Sequence, residues 1–424
     1  MAIQHTASSN SSQSQQSGYV GPLATMASLM FMIGFITCLN DILLPHLKII
    51  FDLSFAEASL IQLAFFFGYF FAAIPSGSII SKFGYKKGTS IGLFTAGIGA
   101  LMFYPAAALP SFAFFLVALF TMAVGFALLQ VAINPYVSVL GPSETSSSRL
   151  VLVQAFNSVG TTIAPYFGSL FILAGTLSMT EIMKMDAVEQ TAYKLSQAAS
   201  VQMPYIGLAL ALIILGLIVF FLHLPSIASV EGEAERTSTY ADVWKVNRLR
   251  LGVFGIFAYV GGEVAIGSFL VNFMGLPTIA NMQESQAAGY IAYYWGGAMI
   301  GRFIGSALLR KIQPGTQLGV QAVIAVILVA IGVISSGSIA MWSMLLVGLM
   351  NSIMFATIFT LAIKDLGPLT NKGGSLLNMA IVGGAIVPAI QGLAADSFGL
   401  HISFVIPILC YAYIMHYGFF GSKK

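Results

Sequence analysis

Charged residues are scarce in this sequence of 424 residues. Asp, Glu, Lys and Arg make up 8% of it, whereas hydrophobic residues make up 58% and the mean hydropathy is +0.90. A soluble domain carries about 25% charged residues, so this composition indicates a membrane protein instead. The net charge of +3 comes from basic residues scattered over short loops, which excludes a concentrated nucleic-acid-binding patch.

Cysteine is nearly absent as well. The two cysteines, Cys38 and Cys410, both lie in apolar stretches, which excludes a disulfide framework and a cysteine metal site. The sequence also lacks a Walker-type phosphate-binding loop and a His-Glu-x-x-His metalloprotease motif. We therefore expect neither an enzyme nor a bound cofactor. The missing nucleotide site favours transport driven by an ion gradient or by the substrate gradient alone.

The first 18 residues are rich in Ser and Gln and contain no Lys or Arg. They lack the basic segment of a signal peptide, and the apolar run that follows them is too long for one. We predict a disordered cytoplasmic tail over 1–18, with the first membrane helix directly after it.

Twelve apolar stretches have the length of about 20 residues that a helix needs to cross a bilayer. Because backbone groups in lipid must hydrogen-bond within their own segment, we expect helices and an all-α integral membrane fold. The approximate bounds of the predicted spans are 22–50, 56–81, 88–108, 112–140, 149–175, 201–223, 251–275, 285–309, 316–335, 338–363, 373–396 and 400–420.

The chain divides into two similar halves. A polar stretch between the sixth and seventh spans predicts an N-terminal bundle over 19–224, a cytoplasmic linker over 225–250 and a C-terminal bundle over 251–424. Gly77–Lys87 ends the second span, and Gly301–Lys311 ends the eighth at the corresponding place, each with glycine followed by basic residues. This recurrence predicts two pseudo-symmetric six-helix bundles, with a site between them near the membrane midplane.

Basic residues lie mostly on one side of this topology. With the N-terminus inside, the outer loops hold only Lys48, Lys184 and Lys194. The inner loops and the C-terminus hold Lys82, Lys86, Lys87, Arg149, Arg236, Lys245, Arg248, Arg250, Arg310, Lys311, Lys364, Lys372, Lys423 and Lys424. The positive-inside rule therefore predicts a multi-pass protein of the inner (plasma) membrane with both termini in the cytoplasm.

Two carboxyl groups lie in the interior of long apolar runs, Asp41 in the first predicted span and Glu263 in the seventh. An ionisable group at this depth costs about 2.5–3.5 kcal/mol on insertion scales, so such groups usually face a cavity, a partner or an ion path. Asp41 has Thr37 one turn below it and Asn40 beside it, a set of hard oxygens that suits Na⁺. A proton requires only the carboxyl group. The structural alternative is a carboxylate satisfied by hydrogen bonds.

Amide side chains recur in the fourth and fifth spans. Gln130 and Asn134 are four residues apart and share a helix face, as do Gln154 and Asn157, which are three apart. Amides offer both donors and acceptors, which suits the hydroxyl groups of a sugar. We predict that these four residues bind a sugar, with hydrogen bonding between helices as the structural alternative.

Glu263 follows Gly261-Gly262, a pair that allows the seventh helix to kink or unwind. We interpret Glu263 as a sugar ligand or a second coupling group, or alternatively as a structural partner of Arg302 in the eighth span. Asn272 is a further candidate ligand, but nine residues separate it from Glu263, so a joint role requires a break in the helix.

Trp295 in the eighth span suits the C–H face of a pyranose, and its neighbours Tyr293 and Tyr294 are weaker candidates for the same role. Aromatic residues also mark membrane interfaces. Asn351 and Asn378 are intramembrane amides of the second half that suit sugar contacts or helix packing equally.

Three stretches of the chain resemble the fucose permease and glucose/galactose transporter branch of the major facilitator superfamily, namely Asn40–Leu47, Gln130–Tyr136 and Gln154–Ser158. Gly77–Lys87 resembles the superfamily's loop signature, with Ser81 at its acidic position. The resemblance implies the major facilitator fold. In fucose permeases the first-span Asp and a fourth-span Glu are implicated in proton coupling. The Asp is present here as Asp41, but the Glu position is Gln130.

We expect a secondary active transporter that imports a hexose such as glucose, galactose or fucose with a cation, by alternating access. The loss of the fourth-span carboxylate slightly favours Na⁺ over H⁺. Asp41 would then be the Na⁺ ligand, and the further coupling groups would be Thr37, Asn40, Gln130 and Glu263. Asn40 is also a candidate sugar ligand. The expected partners are the sugar, the cation and the bilayer, with no nucleic acid, and we expect a monomer. A drug or lipid exporter, an uncoupled sugar facilitator and a non-transporting receptor are the alternatives.

Overall fold

The computed structural model describes residues 19–51, 53, 55–108, 111–171, 182, 184–222 and 239–423. The predicted tail over 1–18 and most of the predicted linker, 223–238, lie outside these ranges. Within them the chain is helical and contains no strand. Twelve of its helices cross the membrane, and we number them α1 to α12.

The N-terminal half contains six of these helices. Their bounds are Val20–Ile50 (α1), 55–83 (α2), 85–108 (α3), Phe112–Val139 (α4), Ser146–Phe171 (α5) and Gln202–Phe221 (α6). α2 and α3 follow one another without a loop, because the chain turns at Gly84, where φ is +78°. Glycine adopts this left-handed backbone without a steric penalty. The turn between α2 and α3 therefore lies within Gly77–Lys87, the stretch that resembles the loop signature. A shorter helix, Ala187–Ser200, precedes α6.

The C-terminal half contains the other six, three of them interrupted by a short break. The bounds are Asn247–Gly275 (α7), Glu284–Leu308 (α8), Pro314–Ile334 (α9), Gly337–Asn351 with Met354–Ile363 (α10), Thr370–Met379 with Gly383–Phe398 (α11), and Leu400–Ser403 with Val405–Phe419 (α12). A six-residue helix, Tyr240–Lys245, precedes α7.

Nine helical stretches within the described residues are long and apolar enough to cross a membrane, and α2 with α3 forms one of them. The two helices outside this set, α5 and α8, are more polar but have 26 and 25 residues. At a rise of 1.5 Å per residue each is about 38 Å long, which suffices to cross the hydrocarbon core of about 30 Å. Counting α2 and α3 separately gives the twelve spans that the sequence predicts.

α7 is a continuous helix through Gly261-Gly262, so the pair does not unwind it. The two glycines serve close packing instead. A Cβ atom on Gly261 would lie 2.3 Å from Cγ2 of Val387 on α11, and one on Gly262 would lie 3.3 Å from Cβ of Cys410 on α12. Small residues let neighbouring helix backbones approach closely in a membrane, so this pair fixes α7 against α11 and α12.

The two halves meet at the end of the molecule where α1, α3, α5, α7, α9 and α11 begin. We call it the basic end, because it carries Lys86, Lys87, Arg149, Arg250 and Lys364. Ser148 on α5 and Ser306 on α8 exchange hydrogen bonds there, each hydroxyl donating to the other's backbone carbonyl, at 2.7 and 2.9 Å. Further inter-half bonds join Ser147 to Thr360, Tyr85 to Asn371 and Asn378 to Ala127. The basic end is therefore closed.

Candidate substrate site

A partly open cavity of about 360 Å³ lies between the halves, towards the end opposite the basic end. Its walls come from α1, α2 and α4 of one half and from α7 and α8 of the other. The lining residues are Thr37, Asn40, Ile61, Gln62, Phe65, Phe66, Leu119, Val264, Gly267, Ser268 and Trp295. A mainly apolar and aromatic wall with a few polar groups is typical of sites that bind small molecules.

Asn40 is held at the cavity wall by α6. Its side chain is 6% exposed, and its Oδ1 accepts a hydrogen bond of 2.7 Å from the hydroxyl of Tyr205. The Tyr205 ring is buried and stacks on Phe103, with the ring centroids 4.0 Å apart. The Nδ2 of Asn40 has no hydrogen-bond partner, so it is free to donate to a ligand oxygen.

Asp41 follows Asn40 in α1, but its side chain lies outside the part of the chain that the structure describes. The helical backbone places it directly after Asn40 and one turn beyond Thr37, both of which line the cavity. Its predicted role as the cation ligand stays a prediction.

The amides of α4 and α5 form hydrogen bonds in a layer that lies nearer to the basic end than the cavity does. Nε2 of Gln154 donates to Oδ1 of Asn134 at 3.2 Å, so the two predicted faces meet. Nε2 of Gln130 donates to the hydroxyl of Tyr69 at 3.2 Å, and Tyr69 packs against the cavity residue Phe65, with ring centroids 5.2 Å apart. Nδ2 of Asn134 is buried without a partner. This layer therefore retains donors for a ligand that enters more deeply.

Two other predicted ligands bridge helices. Nδ2 of Asn157 donates to the backbone carbonyl of Met30 at 3.0 Å, where Gly34 brings α1 against α5. Nδ2 of Asn378 donates to the backbone carbonyl of Ala127 at 3.1 Å and so joins α11 to α4. Both contacts are of the helix-packing kind, and the predicted sugar contacts of these two amides stay predictions.

On the side of the C-terminal half, Trp295 lines the cavity and lies against Gly267 of α7, whose Cβ position is 3.2 Å from the indole ring. Its neighbour Tyr294 is fully buried behind it. The Tyr294 hydroxyl donates to the backbone carbonyl of Glu263 at 3.1 Å and accepts from Nδ2 of Asn351 at 2.8 Å. Asn351 is thus held behind the cavity wall.

Glu263 lies on α7 one turn from Gly267, in the direction of the basic end. Its Oε1 is buried and has no hydrogen-bond partner. Glu263 and Arg302, the structural pair that the sequence left as an alternative, form no ion pair, since the ion pair found among the described residues joins Lys245 and Asp242. Asn272 is exposed and lies two and a half turns away along an unbroken helix. The structure therefore does not bring Asn272 to Glu263.

Sequence reasoning missed most of the cavity lining and the tyrosines that hold its amides, and three residues show why. Gln62 is a single amide in an aromatic stretch of α2, and the rule that singled out Asp41 would have found it. Tyr205 and Tyr69 hold Asn40 and Gln130 from other helices. No local pattern signals those pairings, because 165 residues separate the members of the first pair and 61 those of the second.

Residues 25–387 match the Major Facilitator Superfamily. The chain belongs to this superfamily. It is 49% identical over 411 residues to the glucose/galactose transporter of Brucella abortus biovar 1 (strain 9-941), covering 97% of this chain and 96% of that one. It is 36% identical over 416 residues to the L-fucose-proton symporter of Escherichia coli (strain K12), covering 96% and 95%.

The fold is similar to the crystal structure of a major facilitator transporter, FucP, in the outward conformation. The TM-score is 0.89 with 35% sequence identity, over 96% of this chain and 100% of that chain. The predicted major facilitator fold is therefore confirmed. The protein is a multi-pass membrane transporter and not an enzyme. Gly88-Thr-Ser-Ile-Gly92 does have the Gly-x-Ser-x-Gly spacing of hydrolases, but Ser90 is buried within α3 and not on a strand-to-helix turn.

Proposed function

We propose that the chain is a secondary active transporter that imports a hexose with a proton by alternating access. The observation that carries this proposal is the cavity between the halves, which presents amides and an indole ring while the basic end is closed. The names of the relatives support it, since one is a glucose/galactose transporter and another an L-fucose-proton symporter.

The size and chemistry of the cavity favour a monosaccharide. Its volume of about 360 Å³ is near the lower limit of ligand sites, which span about 300–1,000 Å³. Trp295 offers a flat face for the C–H groups of a pyranose, while Asn40 and Gln62 offer donors and acceptors to its hydroxyl groups. A drug or lipid exporter would need a larger apolar cavity, so this alternative is disfavoured.

The coupling ion that we infer is a proton, whereas the sequence slightly favoured Na⁺. Two relatives, 36% and 27% identical, are named L-fucose-proton symporters, and the names of the relatives do not mention sodium. A proton requires a carboxyl group exposed to each side of the membrane in turn. Asp41 suits this role, because α1 places it beside two residues of the cavity wall.

The direction of transport follows from the orientation of the molecule. The positive-inside rule places the basic end, and with it both termini, in the cytoplasm of a bacterial inner membrane. In the present state the cavity would then face the outside. Delivery of the sugar requires α5 to separate from α8 and α11 to separate from the N-terminal half, since these contacts close the basic end. We expect a monomer to suffice for this cycle.

Uptake into vesicles tests the proposal. Purified protein is reconstituted, and uptake of radiolabelled glucose, galactose and fucose is measured under a pH gradient alone, a Na⁺ gradient alone and no gradient. We expect uphill accumulation with the pH gradient. Accumulation with the Na⁺ gradient alone would replace the proton by sodium, and the absence of hexose transport under all three conditions would refute the proposal.

The role of Asp41 is tested in the same vesicles. Asp41→Asn should abolish uphill accumulation and retain exchange of internal for external sugar, because the neutral amide preserves the shape but carries no proton. Asp396→Asn is the matched control, since Asp396 is an exposed carboxylate near the end of α11. Uphill uptake by Asp41→Asn at the rate of the control would remove Asp41 from the coupling role.

A further inference from the structure

Arg302 of α8 joins the two halves through its guanidinium group. It donates to the backbone carbonyl of Gln154 at 3.2 Å and to the hydroxyl of Ser158, both on α5 of the N-terminal half. It also donates to the backbone carbonyl of Ser352 at 3.3 Å, on α10 of its own half. Every one of these acceptors is neutral. The half-buried cation is therefore hydrogen-bonded, and no carboxylate of the described residues forms an ion pair with it.

Glu263 of α7 is an acid of the same half that interacts electrostatically with Arg302. The two side chains form no ion pair, and Oε1 of Glu263 is buried without a hydrogen-bond partner. An ionised carboxylate is costly to bury unless it is paired and hydrogen-bonded. The buried and unpaired Oε1 therefore favours the neutral carboxylic acid in the state with the closed basic end.

Apart from Arg302, the described residues around Glu263 supply oxygens but no charge. The hydroxyls of Tyr259 and Tyr411 and the Oδ1 of Asn351 are also buried without partners of good geometry. Tyr259 lies one turn before Glu263 on α7, and Tyr411 belongs to α12. Both interact electrostatically with Glu263.

Among the described residues, the titratable groups that face Glu263 come from three helices. They are Tyr259 on α7, Arg302 and Tyr294 on α8, and Cys410 and Tyr411 on α12. Tyrosine and cysteine are neutral when protonated, so Arg302 is the cation of this set. α10 and α11 contribute Asn351, Gly383 and Val387 to the same region, none of which titrates.

Opening the basic end changes the partners of Arg302. When α5 moves away from α8, the guanidinium group loses Gln154 and Ser158, whereas α7 and α8 belong to one half and stay together. This proposal rests on the proton symport proposed above. We propose that, when the basic end opens, Arg302 gives up its α5 acceptors, Gln154 and Ser158, and pairs with the carboxylate of Glu263 instead. Glu263 therefore binds a proton while that end is closed and releases it when the end opens. It is a second proton site of this transporter, in the half opposite Asp41.

The exchange balances without another reactant. The O–H bond of the Glu263 carboxyl group breaks, and the proton passes to water that enters from the opened basic end. The carboxylate that remains pairs with the guanidinium group, which keeps its own protons. When the basic end closes again, Arg302 donates to α5 as before. Glu263 then takes up a proton through the cavity, whose lining residue Gly267 lies one helical turn from Glu263 on α7.

The test measures the state of the basic end in purified protein without sugar. Spin labels are placed at Ser143 and Lys311, two exposed positions on opposite halves, in a protein that also carries Cys38→Ser and Cys410→Ser. Distance distributions between pH 5 and 9 give the open and closed populations. We expect the open population to rise with pH by about fivefold or more, the lower limit of common coupling strengths.

Glu263→Gln is the deciding variant. It offers no charge to Arg302, so its open population at pH 9 should stay at least about fivefold below that of the parent protein. Arg302→Gln combined with Glu263→Gln should restore opening, because no cation then needs a partner. Glu263→Asp keeps the carboxyl group and should keep the response to pH, which guards against a variant that fails to fold. Asp396→Asn, the exposed control, should behave as the parent does.

Two results would overturn the exchange. One is an open population of Glu263→Gln equal to that of the parent at every pH. The other is a double variant that stays as closed as Glu263→Gln alone. Because the populations are measured without sugar and without a gradient, a failure of hexose transport in vesicles would leave this result interpretable.

Discussion

Removal of a single hydroxyl group, in Tyr205→Phe, tests whether Asn40 belongs to the substrate site. That hydroxyl donates to Oδ1 of Asn40 at 2.7 Å, and the ring is stacked on Phe103 at a centroid distance of 4.0 Å. Phenylalanine fills the same volume and keeps the stacking. The variant therefore removes the contact that orients the amide and leaves the packing of α6 in place.

The expected loss follows from the state of Asn40. Its Nδ2 already lacks a partner, so the variant leaves both polar atoms of a buried amide unpaired. An unsatisfied buried acceptor costs about 1–3 kcal/mol, while hydrogen bonds between membrane helices reach about 1.7 kcal/mol. A cost of about 1–1.7 kcal/mol corresponds to about five- to twentyfold in affinity. We expect the KM for the hexose to rise by this factor, with the maximal rate within about twofold of the parent, because binding must now orient the amide.

Initial rates of hexose uptake into vesicles measure both quantities. Tyr413→Phe is the matched control, since its hydroxyl donates to the backbone carbonyl of Leu251 at 2.9 Å and lies within the C-terminal half, away from the cavity lining. Its KM should equal that of the parent. If Tyr205→Phe also leaves the KM unchanged, or if the two variants raise it equally, Asn40 does not serve the site in the way we describe.

Three further substitutions follow from the same geometry. Gly34→Ala places a Cβ atom 2.1 Å from the backbone oxygen of Asn157, so the yield of monodisperse protein in detergent should fall, whereas Gly207→Ala has no heavy atom within 4 Å and should not lower it. Trp295→Ala should raise the KM for the hexose by about tenfold without loss of folded protein, given the value of aromatic contacts. Gln154→Ala should raise the KM as well, and an unchanged KM would assign this amide to the packing of α4 against α5.

The sequence predicted the architecture well, because the bilayer imposes a strong constraint on it. A helix must be long and apolar to cross lipid, and this rule locates the spans even where α5 and α8 are the more polar members. The sequence did not decide the role of Gly261-Gly262, because a glycine pair in a membrane helix has two uses. A glycine pair can loosen a helix where no other helix packs against the pair. Where another helix does pack there, the pair allows close approach, and in this protein α11 packs against Gly261.

The site was predicted less completely, because its geometry depends on contacts distant in sequence. Periodicity placed Gln154 on the face that meets Asn134, and the structure brings the two together at 3.2 Å. It gave no sign that Asn40 is oriented by Tyr205 or that Arg302 reaches across to α5. Such pairings are set by how helices are arranged around one another, which local patterns do not encode.

The replacement of a fourth-span carboxylate by Gln130 does not by itself exclude proton coupling. Gln130 binds Tyr69 and cannot titrate, but a carboxyl group remains in each half, Asp41 on α1 and Glu263 on α7. Coupling requires only that protonation and sugar binding each favour the same state of the two halves, and this linkage is reciprocal. In the exchange proposed above, a proton held by Glu263 would leave Arg302 available to α5, whose Gln154 and Ser158 it contacts at the closed basic end.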